Sequence, residues 1–342
     1  MLCDLNSWLF RRWRYTVETL RILIGSCGGL TGLYLAKSLR KLTLPGYSRI
    51  ELFGFDANGY VPTKFFVDNF FVVSRASKKN DFVSDLINLL NTLEIDVYIP
   101  THSEECRTIS EMEQHIRYRT NTRFLISPFS TFQKLDNKGE AYEVLSSIGI
   151  KTPKVYKRID EVENFPVIAK PRVGSGSKEV FKVSSIEELS RFHEAYKSSD
   201  LLFVEYLSGS EYTVDAFFDS SGNLVTYNQR IRLKTLGGAV IVTKNDFSVD
   251  VKEYIEKISE HFKIVGPANF QFFLTPSNEI VFTDINLRFA SGGLPLSVES
   301  GANIVELVLL EALDIEYDPK KYQSDRKNRV MYRYFEEVFE EL

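Results

Sequence analysis

Asp284-Ile285-Asn286-Leu287-Arg288 decides how this chain is read. If the stretch is a β-strand, residues i, i+2 and i+4 share one face. Asp284, Asn286 and Arg288 then line one side, while Ile285, Leu287 and Phe289 pack on the other. The carboxylate and the amide oxygen are hard donors of the kind Mg²⁺ takes. The guanidinium can fork onto a phosphoryl oxygen. A strand with one wet face and no chemistry shows the same alternation, so the reading turns on what surrounds it.

What surrounds it is a chain of 342 residues, enough for two or three domains of ordinary size. A hydrophobic content of 44% and a charged content of 26% describe a globular chain with a substantial core. The net charge of −4 gives no support to a nucleic-acid-binding surface. Cys3, Cys27 and Cys106 lie far apart, with no Cys-x-x-Cys pair. That argues against a disulfide framework and structural zinc, and favours a cytoplasmic setting. No run is long and apolar enough to cross a membrane. Residues 1–20, with Trp8-Leu9-Phe10-Arg11-Arg12-Trp13, read as an N-terminal extension or an interfacial amphipathic helix, without the order of a signal peptide.

From Arg21 onward strands alternate with helices: Ile22-Leu23-Ile24, a helix over Leu33 to Leu42, a strand from Ile50 to Phe55, a helix from Asp81 to Leu93, and a strand from Asp96 to Pro100. This predicts a parallel α/β sheet over 21–130. Gly25, Gly28, Gly29 and Gly32 between strand and helix, with Asp56 at the next strand end, come near a dinucleotide-binding fingerprint but do not match its spacing. Tight turns need the same glycines. Past residue 130 the pattern changes to a helix over Asp136 to Ser147, then a strand Val167-Ile168-Ala169-Lys170-Pro171. The Gly/Ser-rich loop Arg172-Val173-Gly174-Ser175-Gly176-Ser177-Lys178 follows. It joins two strands as a hairpin, and it is either a phosphate-approaching loop or a surface turn.

Five ordered motifs carry a resemblance. They are Asp136-Asn137-Lys138, the stretch Ala169 to Ser177, the stretch Val204 to Asp215, Asn269-Phe270-Gln271-Phe272, and Asp284 to Arg288. In this order the chain resembles the ATP-grasp superfamily, closest to the carbamoyl-phosphate-synthetase-like carboxylate–amine ligases. The resemblance covers about Arg21 to Leu313. It implies an α/β and α+β architecture: a Rossmann-like pre-ATP-grasp domain at 21–130, one ATP-grasp subdomain at 131–202, and a second at 203–342 with a C-terminal strand.

The resemblance also implies site roles. Lys138 and Lys170 would hold the ATP phosphates, and Gly174, Ser175, Gly176 and Ser177 would form a lid. Glu205, Tyr206 and Leu207 would form the adenine hinge, and Glu211 would bind ribose. Gln271, Asp284 and Asn286 would hold Mg²⁺, or Mn²⁺ in its place, with Gln271 also near ATP. Arg288, with Lys170, would stabilise the transferred phosphoryl group. Most relatives carry Glu where this chain has Asp284. Lys138 can also be a solvated lysine, and Glu211 a salt-bridged strand residue. Glu104 either contacts an amine substrate or sits as a favourable acid at a helix N-terminus. Arg230 and Arg232 either face a carboxylate substrate or form a solvated strand face.

The implied activity joins a carboxylate, activated as an acyl phosphate, to an amine, one partner being an amino acid by default. A homodimer stays open. Two rival readings are an NAD-dependent oxidoreductase on the N-terminal sheet and a non-catalytic ATP-binding regulatory module.

Overall fold

A computed structural model describes residues 18–174, 179–195 and 201–341. The chain opens with β1 (Glu18–Ile24), α1 (Leu30–Leu39), β2 (Tyr47–Asp56), β3 (Asn69–Val72), α2 (Lys79–Thr92) and β4 (Val97–Ile99). The strands form a parallel sheet of order β3-β2-β1-β4. Leu20, Ile22, Leu23 and Ile24 are all fully buried, as expected for a strand covered by helices on both faces. The first strand begins at Glu18, ahead of the expected Arg21, because Glu18 and Thr19 already pair with Tyr47 and Arg49.

The glycine-rich turn after β1 has an internal explanation. A Cβ on Gly32 would lie 2.3 Å from the Cys27 carbonyl oxygen, so α1 can approach the turn only with glycine there. Asp56 accepts the Gly28 N–H at 2.8 Å and the Asn58 N–H at 3.0 Å. The acid that a dinucleotide reading assigns to a ribose is engaged in fixing this turn.

After α3 (Ser103–Glu111) and α4 (Glu113–Arg119) come α5 (Phe129–Asp136) and α6 (Lys138–Ser147). The single helix expected over Asp136 to Ser147 starts at Lys138. Asn137 breaks it at φ −85°, ψ 104°, and caps α6 by accepting the Gly139 N–H. Next come β5 (Val155–Tyr156), β6 (Val167–Pro171), β7 (Phe181–Val183), α7 (Ile186–Ala195) and β8 (Leu201–Glu205). Their antiparallel sheet has the order β5-β8-β6-β7, so β6 and β7 form the predicted hairpin.

The remainder builds a six-stranded antiparallel sheet, β13-β12-β9-β10-β11-β14, from β9 (Ser210–Phe218), β10 (Leu224–Leu236), β11 (Ala239–Asn245), β12 (Gly266–Leu274), β13 (Ile280–Asn286) and β14 (Val330–Tyr332). Three helices accompany it: α8 (Lys252–Phe262), α9 (Leu294–Glu299) and α10 (Ile304–Ala312). Because β8 pairs with β6 and β5, the expected boundary at 202/203 falls inside a strand. We propose that the two smaller units divide after Glu205.

Candidate functional site: a cleft between two antiparallel sheets

A cavity of about 300 Å³ separates the four-stranded from the six-stranded sheet. Ile168 and Lys170 of β6 and Val204 and Glu205 of β8 form one wall. Glu211 of β9, Gln271 and Phe273 of β12, and Thr283 and Asp284 of β13 form the other. Tyr206 and Leu207 line the connection between the sheets, and Lys138 and Gly174 the opposite end. Strand alternation explains the mix: Lys170 points inward two residues after Ile168, and Gln271 two before Phe273. Ser175, Gly176 and Ser177 lie outside the described residues.

Register brings the donors together. β12 and β13 pair antiparallel with Gln271 opposite Asp284 and Asn269 opposite Asn286. The Asn286 amide nitrogen donates to Asp284 at 2.9 Å and to the Asn269 side-chain oxygen at 3.4 Å. Its oxygen accepts from Arg288 Nη2 at 3.4 Å. β13 stops at Asn286, so Arg288 lies past the ladder; it keeps its place on the same side through these side-chain bonds.

Electrostatics sharpen the picture. Lys170 is only 9% exposed and donates to the Tyr142 hydroxyl at 2.6 Å. Tyr142 in turn donates to the Thr283 carbonyl at 2.6 Å. Burial pulls the Lys170 pKa down to about 8; Asp284 works against the drop and Lys138 adds to it. Burial likewise lowers the Arg288 guanidinium, partly offset by the Cys106 thiol and Asp284. Lys138 donates to the Gly174 carbonyl at 2.7 Å and lies 3.9 Å from Asp284. Three cations thus meet one carboxylate, an arrangement that attracts an anion carrying several charges.

Two further cavities continue the cleft. One of about 430 Å³ shares Lys138, Pro171, Gly174 and Asp284 with it and adds Asn286, Arg288, Ser103, Glu104 and Arg107. The next, about 510 Å³, lies at the C-terminal ends of the parallel strands, against Ser26, Asp56 and Thr101, and shares His102, Glu104 and Arg288 with its neighbour. Ligands of open parallel sheets bind at such strand ends. Glu104 occupies both the candidate ligand wall and the first turn of α3, so the two readings of it coincide.

Arg230 is placed otherwise. It is 2% exposed and pairs with Asp215 through Nε at 3.0 Å, away from the lining of these cavities. Arg232 pairs with Glu211 at 2.6 Å and donates to the Gly238 carbonyl. Neither forms a solvated strand face, because both guanidinium groups are withdrawn from water. The Glu205 carboxylate accepts the Lys154 N–H at 2.9 Å and fixes the end of β8.

Reasoning from sequence assigns no role to Tyr142, Asn269 or Ser103. Tyr142 follows Lys138 by four residues on α6, a same-face spacing visible in the sequence. Asn269 precedes Gln271 by two and shares its parity. Ser103 lies just past a strand end, where such sheets bind ligands, but nothing local marks it as a partner of Arg288.

Two antiparallel sheets closing on a cation-lined cleft, behind a parallel α/β unit, define a nucleotide-grasping fold. Residues 197–338 match the family described as ATP-grasp in the biosynthetic pathway with Ter operon. Over these residues the chain is similar to the ATP-grasp family, and its fold is that of ATP-grasp proteins. Over 162 residues, 44% of the chain, it is 28% identical to a D-alanine–D-alanine ligase of Fusobacterium nucleatum. Over 156 residues, 41% of the chain, it is 23% identical to an L-arginine-specific L-amino acid ligase of Bacillus subtilis. The matches span 55% and 38% of those relatives' own lengths. Among solved structures, an N5-carboxyaminoimidazole synthetase from Staphylococcus aureus complexed with ADP superposes with a TM-score of 0.72 at 17% identity, covering 93% of this chain and 83% of that one. No helix among the described residues is long and apolar enough to cross a membrane.

Proposed function

We propose that the protein is an ATP-dependent carboxylate–amine ligase. One observation carries the reading: Lys138, Lys170, Glu211, Gln271 and Asp284, scattered over nearly 150 positions, line a single cleft that runs on to Arg288. The apolar end, with Val204, Leu207 and Phe273, suits a base. Glu211 suits ribose hydroxyls, and the two lysines suit phosphates.

In the first step a carboxylate oxygen of the substrate attacks the γ-phosphorus of ATP, the bond to the β-phosphate oxygen breaks, and ADP leaves. Lys138 and Lys170 orient the phosphates and Arg288 offsets the charge on the moving phosphoryl group. In the second step an amine attacks the acyl carbon, phosphate leaves, and the nitrogen gives up its proton. The acyl phosphate hydrolyses in water, so the walls of the cleft must exclude it.

One carboxylate and two carboxamide oxygens (Asp284, Asn286 and Gln271) are too few for a protein-only metal cage. Among the described residues no cluster of three His, Cys, Asp or Glu could hold a metal. The set does fit Mg²⁺ that arrives with phosphate oxygens, since that ion is commonly bound by one or two carboxylates plus substrate phosphates. Asp284 and Asn286 would hold it, with Gln271 opposite. When bound it would neutralise phosphate charge. The two ligases among the relatives, one of them an L-amino acid ligase, support an amino acid as one partner.

The test is ADP release from ATP and Mg²⁺ against a matrix of amino acids and small carboxylic acids. ADP formed only when both a carboxylate and an amine are present supports the ligase. Tight ATP binding with no ADP from any pair would defeat it.

A further inference from the structure

We propose that Ser103 is a positioning residue for Arg288, so that the N-terminal parallel-sheet unit sets the geometry of phosphoryl transfer in the cleft. The inference rests on the reading of Arg288 as the cation that meets the transferred group. Arg288 lies beyond the last paired residue of β13, so the sheet does not fix it. Among the described residues its partners are Ser103 Oγ, which accepts from Nε at 2.6 Å, the Phe289 carbonyl at 2.9 Å, and the Asn286 side-chain oxygen at 3.4 Å. Phe289 is its own chain neighbour, and the Asn286 contact is long. Ser103 is therefore the short contact that comes from another element. All three partners are neutral, so a withdrawn guanidinium is left short of a counter-charge, as a subsite for an anion requires.

Ser103 stands on a rigid base. It is the first residue of α3, and the turn before it is built around Glu105. That buried carboxylate accepts the N–H groups of Thr101 at 2.9 Å and His102 at 3.1 Å, and the Tyr98 hydroxyl. Thr101 Oγ1 donates to the Gly25 carbonyl at 2.8 Å. A Cβ on Gly25 would come within 1.8 Å of Glu105, so the β1 turn closes on the carboxylate only through glycine. The Gly25 turn, Thr101 and Glu105 thus hold the start of α3, from which Ser103 reaches Arg288. The Ser103 hydroxyl accepts from Arg288, and both residues line the same cavity.

The experiment compares wild type, Ser103→Ala and Ser103→Thr as full chains. Calorimetry measures ADP binding with Mg²⁺, then inorganic phosphate binding to the ADP complex; ADP release gives kcat and KM. Ser103→Ala should bind ADP within about twofold of wild type, while phosphate affinity and kcat fall about ten- to hundredfold and the KM for ATP stays put. Ser103→Thr, which keeps an acceptor oxygen, should recover most of the loss. Wild-type kcat and phosphate affinity in Ser103→Ala, or equal impairment in both variants, would overturn the proposal. Ser103→Cys, a weaker acceptor of similar size, carries the same expectation as alanine should that variant fail to fold. If wild type itself binds no ADP, the cleft reading fails and takes this inference with it, a result separate from wild-type behaviour in the variant.

Discussion

Replacing Lys170 by methionine should make the protein more stable at pH 7 while it weakens nucleotide binding. Burial moves this amine from 10.5 to about 8. At about 1.4 kcal/mol per unit, keeping it charged in the folded state at pH 7 costs about 3 kcal/mol. Methionine fills a similar volume without that penalty. It forfeits the hydrogen bond to Tyr142, worth about 1 kcal/mol, because the Tyr142 hydroxyl keeps its bond to Thr283. The net gain is about 2 kcal/mol at pH 7. Between pH 8 and 10.5 the unfolded wild type holds more protons than the folded form, so wild-type stability rises with pH there. The advantage of Lys170→Met should shrink by about 2 kcal/mol between pH 7 and pH 9.5. Urea denaturation of both proteins at the two pH values measures it, and titrations common to both cancel in the difference. Parallel pH dependences would refute the argument. A bound polyphosphate restores the charged amine, so ADP binding at pH 8.5 should take up protons, readable by calorimetry in buffers of different ionisation enthalpy.

Asn286→Ala should abolish ADP release while leaving ADP binding measurable, since it removes one donor and the link between Asp284 and Arg288; wild-type turnover would remove the assignment. Asp215→Asn should destabilise the fold by about 3–5 kcal/mol, because it strands the buried Arg230; urea denaturation checks it, and ADP affinity should hold in the surviving folded protein. Gly32→Ala should lower stability by about 1–3 kcal/mol by overpacking against the Cys27 backbone, read from the urea midpoint.

Much of the architecture was legible because apolar periodicity and turn residues act locally. The Ile22-Leu23-Ile24 run reads as a short apolar strand, and the β6–β7 hairpin follows from Pro171 and the glycines after it. The Asp284–Asn286 pair was legible for the same reason: one strand sets which side chains share a face. What escaped depends on partners far along the chain. Arg230 and Arg232 alternate like a wet strand face, yet Asp215 and Glu211 on the neighbouring strand draw both arginines inward. Only the β9–β10 register, which no local pattern specifies, decides that. Periodicity alone places Asn137 inside a helix, but its side chain takes the Gly139 N–H and starts a new helix there. Ser103 meets Arg288 across 185 positions, and nothing in either neighbourhood announces it.

The same long-range assembly explains why the cleft belongs with a charged ligand rather than with closure alone. Lys170 is buried at a penalty, Arg288 has neutral partners, and Lys138 leans on a carbonyl with Asp284 as its nearest acid. Each arrangement leaves the free protein less stable than an apolar or fully paired cleft would. On the proposed reading a polyphosphate relieves all three at once. Its binding is then stronger than its contacts alone suggest, because it also recovers what the empty cleft gives up. On that reading the roles of the cations separate: Lys138 and Lys170 face the resting nucleotide, so their removal should act mainly on affinity. Arg288 lines both of the next two cavities and on the same reading faces the moving phosphoryl group and the acceptor, so its displacement should act mainly on rate.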